Sequence, residues 1–125
     1  MTPVLVDASV WRGYFRGSPS AEHLRDLLEE DDAVLMHSFV MGEMVLGGLS
    51  NREQVLLDRL PTADVVRHED VLDFVRRRRL MRRGIGWVDA HLLASALVAS
   101  ALLWSADVAL ARVAADLNVG FAPTR

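Results

Sequence analysis

Four acidic residues of this chain lie beside or within strongly apolar stretches. Asp7, Asp89 and Asp107 each adjoin an apolar run, and Glu43 lies inside one. A carboxylate next to a hydrophobic core is unfavourable unless a cation pairs with it. Hard divalent ions such as Mg²⁺ and Mn²⁺ prefer carboxylate oxygens and relieve the repulsion between clustered acids. The four acids are therefore candidate metal ligands.

Each of these acids also has an ordinary structural explanation. Asp7 and Asp107 are suitable N-caps for the helices that are predicted to follow them. Asp89 is favourable in a first helical turn because of the helix dipole, and Glu43 is consistent with a solvent-facing side chain. No single residue is specific, so the prediction of a metal site depends on all four being brought together.

Short apolar runs alternate with helical patterns along the chain, and this alternation must position the acids. Strands are predicted at residues 4–6, 33–36, 63–66, 102–104 and 119–121. Helices are predicted at residues 8–15, 20–30, 38–46, 51–60, 68–83, 108–117 and from residue 87, with Ser18 and Ser38 as N-caps. Such alternation indicates a mostly parallel, short-stranded sheet with helices on both faces. Functional sites in these sheets form at the carboxyl ends of strands, where Asp7 and Asp107 fall.

Length and composition limit the class of protein. We expect a single domain over residues 1–125, because a chain of 125 residues is long enough to bury one core. The absence of cysteine excludes disulfides and thiolate zinc sites. No signal peptide precedes the first strand, and the longest apolar run is shorter than the ~20 residues of a membrane span. We therefore expect a cytoplasmic protein that does not use a membrane.

Four short motifs together resemble those of PIN domains. They are Val6-Asp7-Ala8-Ser9-Val10-Trp11, Gly42-Glu43-Met44, Asp89-Ala90-His91-Leu92-Leu93-Ala94-Ser95-Ala96-Leu97 and Ser105-Ala106-Asp107. The likeness is greatest to the VapC toxins of VapBC toxin–antitoxin pairs, and it covers nearly the whole chain. It implies a PIN-like three-layer sandwich and a Mg²⁺- or Mn²⁺-dependent endoribonuclease that hydrolyses RNA. It also implies inhibition by a cognate VapB-like antitoxin and a homodimer.

The resemblance assigns a role to particular residues. Asp7, Glu43, Asp89 and Asp107 match the acidic quartet, so they are the predicted catalytic residues and metal ligands. Ser9 and Ser105 match hydroxyl positions that support a ligand or contact phosphate, although the family usually has threonine where Ser105 stands. The fourth motif usually has an aromatic residue three positions beyond its aspartate, whereas this chain has Leu110 there.

Six arginines occur in the eight residues from Arg76 to Arg83, on the second half of a predicted helix. Like charges so close together repel one another, which is unusual for a helix face that only contacts solvent. Three explanations stay open: contact with the RNA backbone, contact with an antitoxin or dimer partner, and a solvated face. The candidate RNA-binding residues are Arg76, Arg79, Arg82 and Arg83.

Aromatic residues and histidines near the acids are assigned other roles. Trp11, Tyr14 and Phe15 share one face of the first helix, which predicts core packing or contact with an antitoxin or a second copy rather than base stacking. His37 is interpreted as a polar residue at the rim of the site. His91 lies two positions after Asp89, so it points to a different helix face and is not expected to be catalytic.

Two other classes of protein fit the sequence less well. A phosphoacceptor receiver domain needs a pair of acids after the first strand and a lysine near the C-terminal end, but the chain has no lysine. A catalytically inactive PIN-like module that only binds or scaffolds other molecules is the second alternative. Such a degenerate copy would be expected to lose acids of the quartet, and all of them are present here.

Overall fold

This computed structural model describes residues 2–123. Its sheet consists of short parallel strands. They are β1 (Val4–Val6), β2 (Val34–His37), β3 (Thr62–Ala63) and β4 (Leu102–Trp104), in the spatial order β3-β2-β1-β4. Both neighbours of β1 are parallel to it, with Val4 aligned with Val34 on one side and Leu102 on the other. β1 is therefore a central strand, and all three of its residues are buried.

Helices connect the strands. They are α1 (Ala8–Phe15), α2 (His23–Leu28), α3 (Ser38–Gly47), α4 (Asn51–Asp58), α5 (His68–Arg77), α6 (Trp87–Val98) and α7 (Val108–Asp116). The chain moves outward from β1 to β3 and then crosses back to β4 on the other side of β1. Because parallel crossovers are right-handed, this reversal places the returning helices on the opposite face. The α/β sandwich expected from the sequence is confirmed.

The core is formed by β1 together with the helices that cover it. α6 is its most buried helix, since every residue from Ala90 to Ala96 is buried. Trp11 of α1 is fully buried as well and contacts the rings of Tyr14 and Phe15 at centroid distances of 6.1 and 5.8 Å. Within residues 2–123, no helix is long and apolar enough to cross a membrane.

Several predicted elements are shorter than expected. The helix predicted at residues 20–30 is a 3₁₀ turn (Pro19–Ala21) followed by α2. The Ser18 hydroxyl contacts that of Ser20 and caps no helical N–H. The third strand is reduced to Thr62–Ala63. The final predicted strand is only a bridge between Leu103 and Gly120.

The helix predicted through Arg83 ends at Arg77, so the prediction that the arginine run is helical was wrong. Arg79 and Arg82 have left-handed backbone angles, with φ of 55° and 63°. Between them, Leu80 is buried in the main core, and its N–H donates to the carbonyl of Val75 at 3.0 Å. Burial of Leu80 thus turns the chain out of the helix and spreads the arginines over an exposed loop.

His37 begins α3 in the place predicted for Ser38, and it is fully buried rather than at a rim. Its Nδ1 accepts a hydrogen bond from the N–H of Phe39 at 3.0 Å, which leaves the ring proton on Nε2. Nε2 lies 3.0 Å from the Ser95 hydroxyl, which donates to the carbonyl of Asp64 at 2.8 Å. The neutral imidazole therefore links α3 to α6 through the interior, and both earlier interpretations of this helix start are corrected.

Folding stability should fall as the pH drops below about 6.5. Burial, together with the nearby His91, lowers the pKa of His37 from 6.5 to about 4. Between these two pH values the imidazole is protonated in the unfolded chain but neutral in the folded chain. Stability is therefore complete above pH 6.5 and is lost as the pH falls toward 4. The loss at pH 5 should be on the order of 2 kcal/mol, measured by urea unfolding at several pH values.

His37→Asn is the informative variant, because the asparagine oxygen can still accept the Phe39 N–H as an N-cap. The variant should lose the extra slope of stability between pH 4 and 6.5, whereas His68→Asn, at an exposed position, should keep it. An unchanged slope in His37→Asn would show that this imidazole does not control the acid sensitivity.

Candidate active site

Asp7 lies at the carboxyl end of β1 and is the N-cap of α1. Its Oδ1 accepts the N–H of Ala8 at 2.8 Å, and its Oδ2 accepts the hydroxyls of Ser9 and Ser105, each at 2.8 Å. The side chain is buried to 7% exposure. Both predictions for Asp7, as a helix cap and as a member of an acidic site, are compatible with this one position.

Ser9 and Ser105 join the ends of β1 and β4. The Ser9 oxygen accepts the N–H of Ala106 at 3.0 Å, and the Ser105 oxygen accepts the N–H of Asp107 at 3.0 Å. Each hydroxyl thus donates to Asp7 while accepting a backbone N–H from the loop after β4. This arrangement fixes the orientation of the Asp7 carboxylate and the path of the chain into α7.

Asp89 and Asp107 are positioned by the first turns of their helices. Asp89 lies in the first turn of α6, and its Oδ2 accepts the N–H of Gly86 at 3.0 Å. Asp107 is the N-cap of α7, and its Oδ1 accepts the N–H of Leu110 at 3.0 Å. Leu110 itself is fully buried, so an apolar residue at this position packs in the core.

Charge interactions connect the four acids. The pKa of Glu43 is raised by burial and then by the negative charges of Asp7 and Asp89, and Arg12 partly opposes this. The pKa of Asp89 is raised by burial and by the charges of Asp7 and Asp107, against the hydrogen bond from Gly86. Acids from β1, α3, α6 and α7 therefore lie close enough to repel one another at the carboxyl edge of the sheet.

The donor set suits a hard divalent cation. In the described part of the chain, hydrogen bonds hold Asp89 Oδ2 and Asp107 Oδ1 but neither Asp89 Oδ1 nor Asp107 Oδ2, and none holds the carboxylate of Glu43. As the side chains stand, residues 2–123 contain no group of three or more histidine, aspartate or glutamate side chains arranged to hold a metal ion. Binding would require the free carboxylate oxygens to turn toward one point. The hydrogen bonds to Asp89 and Asp107 limit that rotation, whereas none in the described residues restrains Glu43.

The arginine run divides into paired and unpaired members. Arg83 forms an ion pair with Asp116 of α7, and Arg77 pairs with Asp73 at 2.7 Å. Within residues 2–123, the other arginines of the run are exposed and form no ion pair; they are Arg76, Arg78, Arg79 and Arg82. Of the four candidate RNA-binding residues, Arg83 thus has a structural role, while the rest are open to a ligand.

The three aromatic residues of α1 differ in how deeply they are buried. Trp11 is fully buried and belongs to the core, so it offers no surface to a partner. Tyr14 and Phe15 are partly buried and pack against the same core. Phe15 additionally lines a groove of about 260 Å³ between α1 and the α3–α4 connection. The structure therefore assigns Trp11 to packing and leaves Tyr14 and Phe15 accessible.

Two features of the site were not predicted from the sequence. Arg12, on α1, is close enough to lower the pKa of Glu43, and its only sequence signal is that it is a basic residue in the last turn of α1. The second feature is the bond between His37 and Ser95, which connects the helix carrying Glu43 to the helix carrying Asp89. Since these residues are far apart in sequence, no local pattern could have paired them.

Comparison with known proteins defines the class. The family model described as PIN domain matches residues 4–116, and the chain belongs to the PIN-domain family. It is 43% identical over 122 residues to Ribonuclease VapC32 of Mycobacterium tuberculosis, from strains CDC 1551 / Oshkosh and H37Rv, covering 95% of this chain and 96% of that protein. This similarity places the chain in the VapC group of the family, as the motifs indicated.

A solved structure supports the fold independently. The crystal structure of PAE2754 from Pyrobaculum aerophilum matches 89% of this chain and 78% of its own chain, with a TM-score of 0.64. The sequence identity is only 16%, so this comparison concerns the fold alone. The PIN-like α/β sandwich is therefore confirmed by a similar backbone arrangement in a protein whose side chains mostly differ from those of this chain.

Glu43→Gln should stabilise the protein in EDTA at neutral pH. Because burial and the neighbouring carboxylates raise the pKa of Glu43, its ionised form opposes folding. The contribution of Glu43 to stability should accordingly rise as the pH falls through that raised pKa toward the ordinary value of 4.5, which partly offsets the loss caused by His37. The variant should lack this rise and should therefore lose more stability than the wild type over this pH range. Thermal unfolding at several pH values measures both.

Glu30→Gln is the matched control, because Glu30 is exposed and distant in sequence from the acidic cluster. Its effect should stay within about 0.5 kcal/mol in either direction. A lower unfolding temperature for Glu43→Gln than for the wild type would contradict the view that the cluster is electrostatically strained.

Proposed function

We propose that this chain is the toxin of a type II toxin–antitoxin pair and that it is an endoribonuclease dependent on Mg²⁺ or Mn²⁺. The observation that supports this most directly is the coupling of Asp7, Glu43 and Asp89, whose charges repel at one edge of the sheet. The similarity to VapC ribonucleases supports RNA as the substrate. Residues 1–125 then act as a single PIN domain in the cytoplasm, where RNA is available.

The four acids are the proposed ligands and catalytic groups. Asp7, Asp89 and Asp107 are each oriented by hydrogen bonds to one carboxylate oxygen or more, which suits them to hold a cation in a defined place. When bound, Mg²⁺ or Mn²⁺ would lower the pKa of a water molecule and neutralise charge on the phosphate.

Glu43 has a different part in the proposal. Its carboxylate has no hydrogen-bond partner in the described residues, and its pKa is raised by burial and by the neighbouring acids. Those properties suit a group that orients the attacking water and accepts its proton. Ser9 and Ser105 position Asp7 through their hydroxyls, and Arg12 beside Glu43 is available to contact the phosphate.

Asp7→Asn should abolish RNA cleavage in Mn²⁺ without unfolding the protein. The amide is neutral, and its single acceptor oxygen cannot serve both the Ala8 N–H and the two serine hydroxyls, as the two carboxylate oxygens do. Ser105→Ala keeps the carboxylate but removes one of its partners and the acceptor of the Asp107 N–H, so it should lower activity roughly 10- to 100-fold. Cleavage of structured RNA, with circular dichroism as a check on folding, measures both.

EDTA should remove the activity of the wild type, and Mn²⁺ should restore it. Glu30→Gln should cleave as the wild type does, because this residue is exposed and outside the site. Cleavage that persists in EDTA, or in Asp7→Asn, would rule out the metal-dependent nuclease. A protein that binds RNA but never cleaves it would instead be a binding or scaffold module.

The groove beside α1 is the proposed surface for a VapB-like antitoxin. Phe15, Met44 and Leu49 form its apolar part, and Arg12 and Arg16 lie at its edge. Next to it, the C-terminal end of α3 exposes Val45 and Leu46, the latter at 90% exposure. A groove that is apolar, basic and adjacent to Glu43 fits a partner that covers the site and blocks it.

Leu46→Glu should weaken the complex with the antitoxin about 10- to 100-fold, because burying a leucine side chain contributes about 1.5–3 kcal/mol. Val98→Glu is the matched control, since Val98 is also apolar and exposed but lies at the far end of α6. Calorimetry with the product of a neighbouring antitoxin gene measures the affinity. Equal affinities for the two variants would remove the groove from the proposal.

A homodimer is part of the same proposal. Light scattering of the purified chain measures its mass against the 13.9 kDa of one copy, and the mass should correspond to two copies.

A further inference from the structure

A small cavity lies beside the acidic cluster, between the end of α5 and the start of α6. Its walls are formed mainly by Leu80, Met81, Ile85 and Trp87, and its volume is about 170 Å³. An engineered protein cavity of roughly 150 Å³ is large enough to bind benzene. The cavity is open to solvent on one side and has room for one flat aromatic ring system.

Trp87 is the aromatic wall of this cavity. Its ring meets that of His91 edge-to-face at 5.0 Å and that of His68 at 5.0 Å with a tilt of 59°. These contacts hold the indole in place, yet 39% of the residue stays exposed. The other tryptophans, Trp11 and Trp104, are buried in the core, so Trp87 alone among the three presents indole surface to a ligand.

The cavity and Asp89 share the first turn of α6. Gly86 lines it, and the N–H of the same residue donates to Asp89 Oδ2 at 3.0 Å. Trp87 and Ala90, also in its lining, precede and follow Asp89 on the first turn of α6. The cavity and the Asp89 side chain therefore belong to different faces of the same helical turn, and a strand with a base in the cavity would pass the turn that carries Asp89.

One arginine lines the cavity, and three more lie nearby in sequence. Arg82 is part of the lining, and the exposed residues Arg76, Arg78 and Arg79 lie on the same end of α5 and the loop after it. None of these four forms an ion pair within residues 2–123. An aromatic wall combined with unpaired arginines is the pattern by which proteins bind single-stranded nucleic acid.

We propose that this cavity binds one nucleobase of the RNA substrate, stacked on Trp87, next to the phosphate that is cleaved. The inference rests on the proposed function, and it adds the group that positions the strand. The unpaired arginines bind the flanking phosphates, and stacking on the indole sets which phosphate reaches the acids. An apolar side chain of a protein partner would fill the same cavity but would leave the four arginines without a role.

Trp87→Leu tests the proposal, with Trp87→Phe and Val98→Ala as companions. The probes are fluorescently labelled oligo(A), oligo(C) and oligo(U), and an abasic oligoribonucleotide of the same length. Binding is measured in EDTA and low salt, so that no probe is cleaved. Trp87→Leu should bind the base-bearing probes about tenfold more weakly and the abasic probe as the wild type does. Trp87→Phe should recover part of the loss, and Val98→Ala should bind normally.

Tryptophan emission provides a second measurement. Saturation of the wild type with a base-bearing probe should quench the exposed indole, and the abasic probe should not. The proposal is overturned if Trp87→Leu binds the base-bearing probes as tightly as the wild type does. It is also overturned if the variant loses the same factor for the abasic probe, or if it weakens only the complex with an antitoxin.

Cleavage in Mn²⁺ separates this inference from the proposed function. If the wild type cleaves RNA but its base binding does not depend on Trp87, the nuclease proposal stands and the base-binding proposal is wrong. If the wild type binds bases through Trp87 but cleaves no RNA, the base-binding proposal stands and the nuclease proposal is wrong.

Discussion

The carboxylate of Asp7, held between the ends of two parallel strands, is the interaction on which the rest of the site depends. Ser9 reaches it from the next turn of the chain, but Ser105 reaches it from a strand 98 residues away. That contact exists only because β4 inserts beside β1 rather than beside β3. The strand order therefore decides that the loop carrying Asp107 begins next to Asp7, and a different order would separate them.

The same convergence places the cluster under electrostatic strain. Glu43 and Asp89 are partly buried near other negative charges, and both have raised pKa values for that reason. The surrounding structure resists this repulsion through fixed hydrogen bonds from backbone N–H groups and through the bond between His37 and Ser95. That bond ties the helix that carries Glu43 to the helix that carries Asp89. Strain of this kind is common at functional sites, where a ligand relieves it.

Local patterns predicted the elements that carry the acids. β1, α1 and β4 have the bounds that alternation and apolar spacing indicated, since a buried strand and an amphipathic helix are recognisable within a few residues. The same reasoning failed over residues 78–83, where local preference favoured a helix. There the burial of Leu80 in the core outweighs helix propensity, and the arginines belong to a loop. It failed again at His37, because burial and a partner in a distant helix cannot be read from neighbouring residues.

The sequence by itself predicted the acidic quartet and determined the alternation of strands and helices and membership of the PIN-domain family, because these depend on residue types at short spacings. Only the tertiary structure decided which hydroxyls hold Asp7, that Arg83 is paired with Asp116 while Arg82 is not, and that Trp87 lines a cavity beside Asp89. The physical reason is that these contacts join segments that strand order and core packing bring together. Side-chain partners across such distances depend on the whole fold, whereas caps and apolar faces depend on a few adjacent residues.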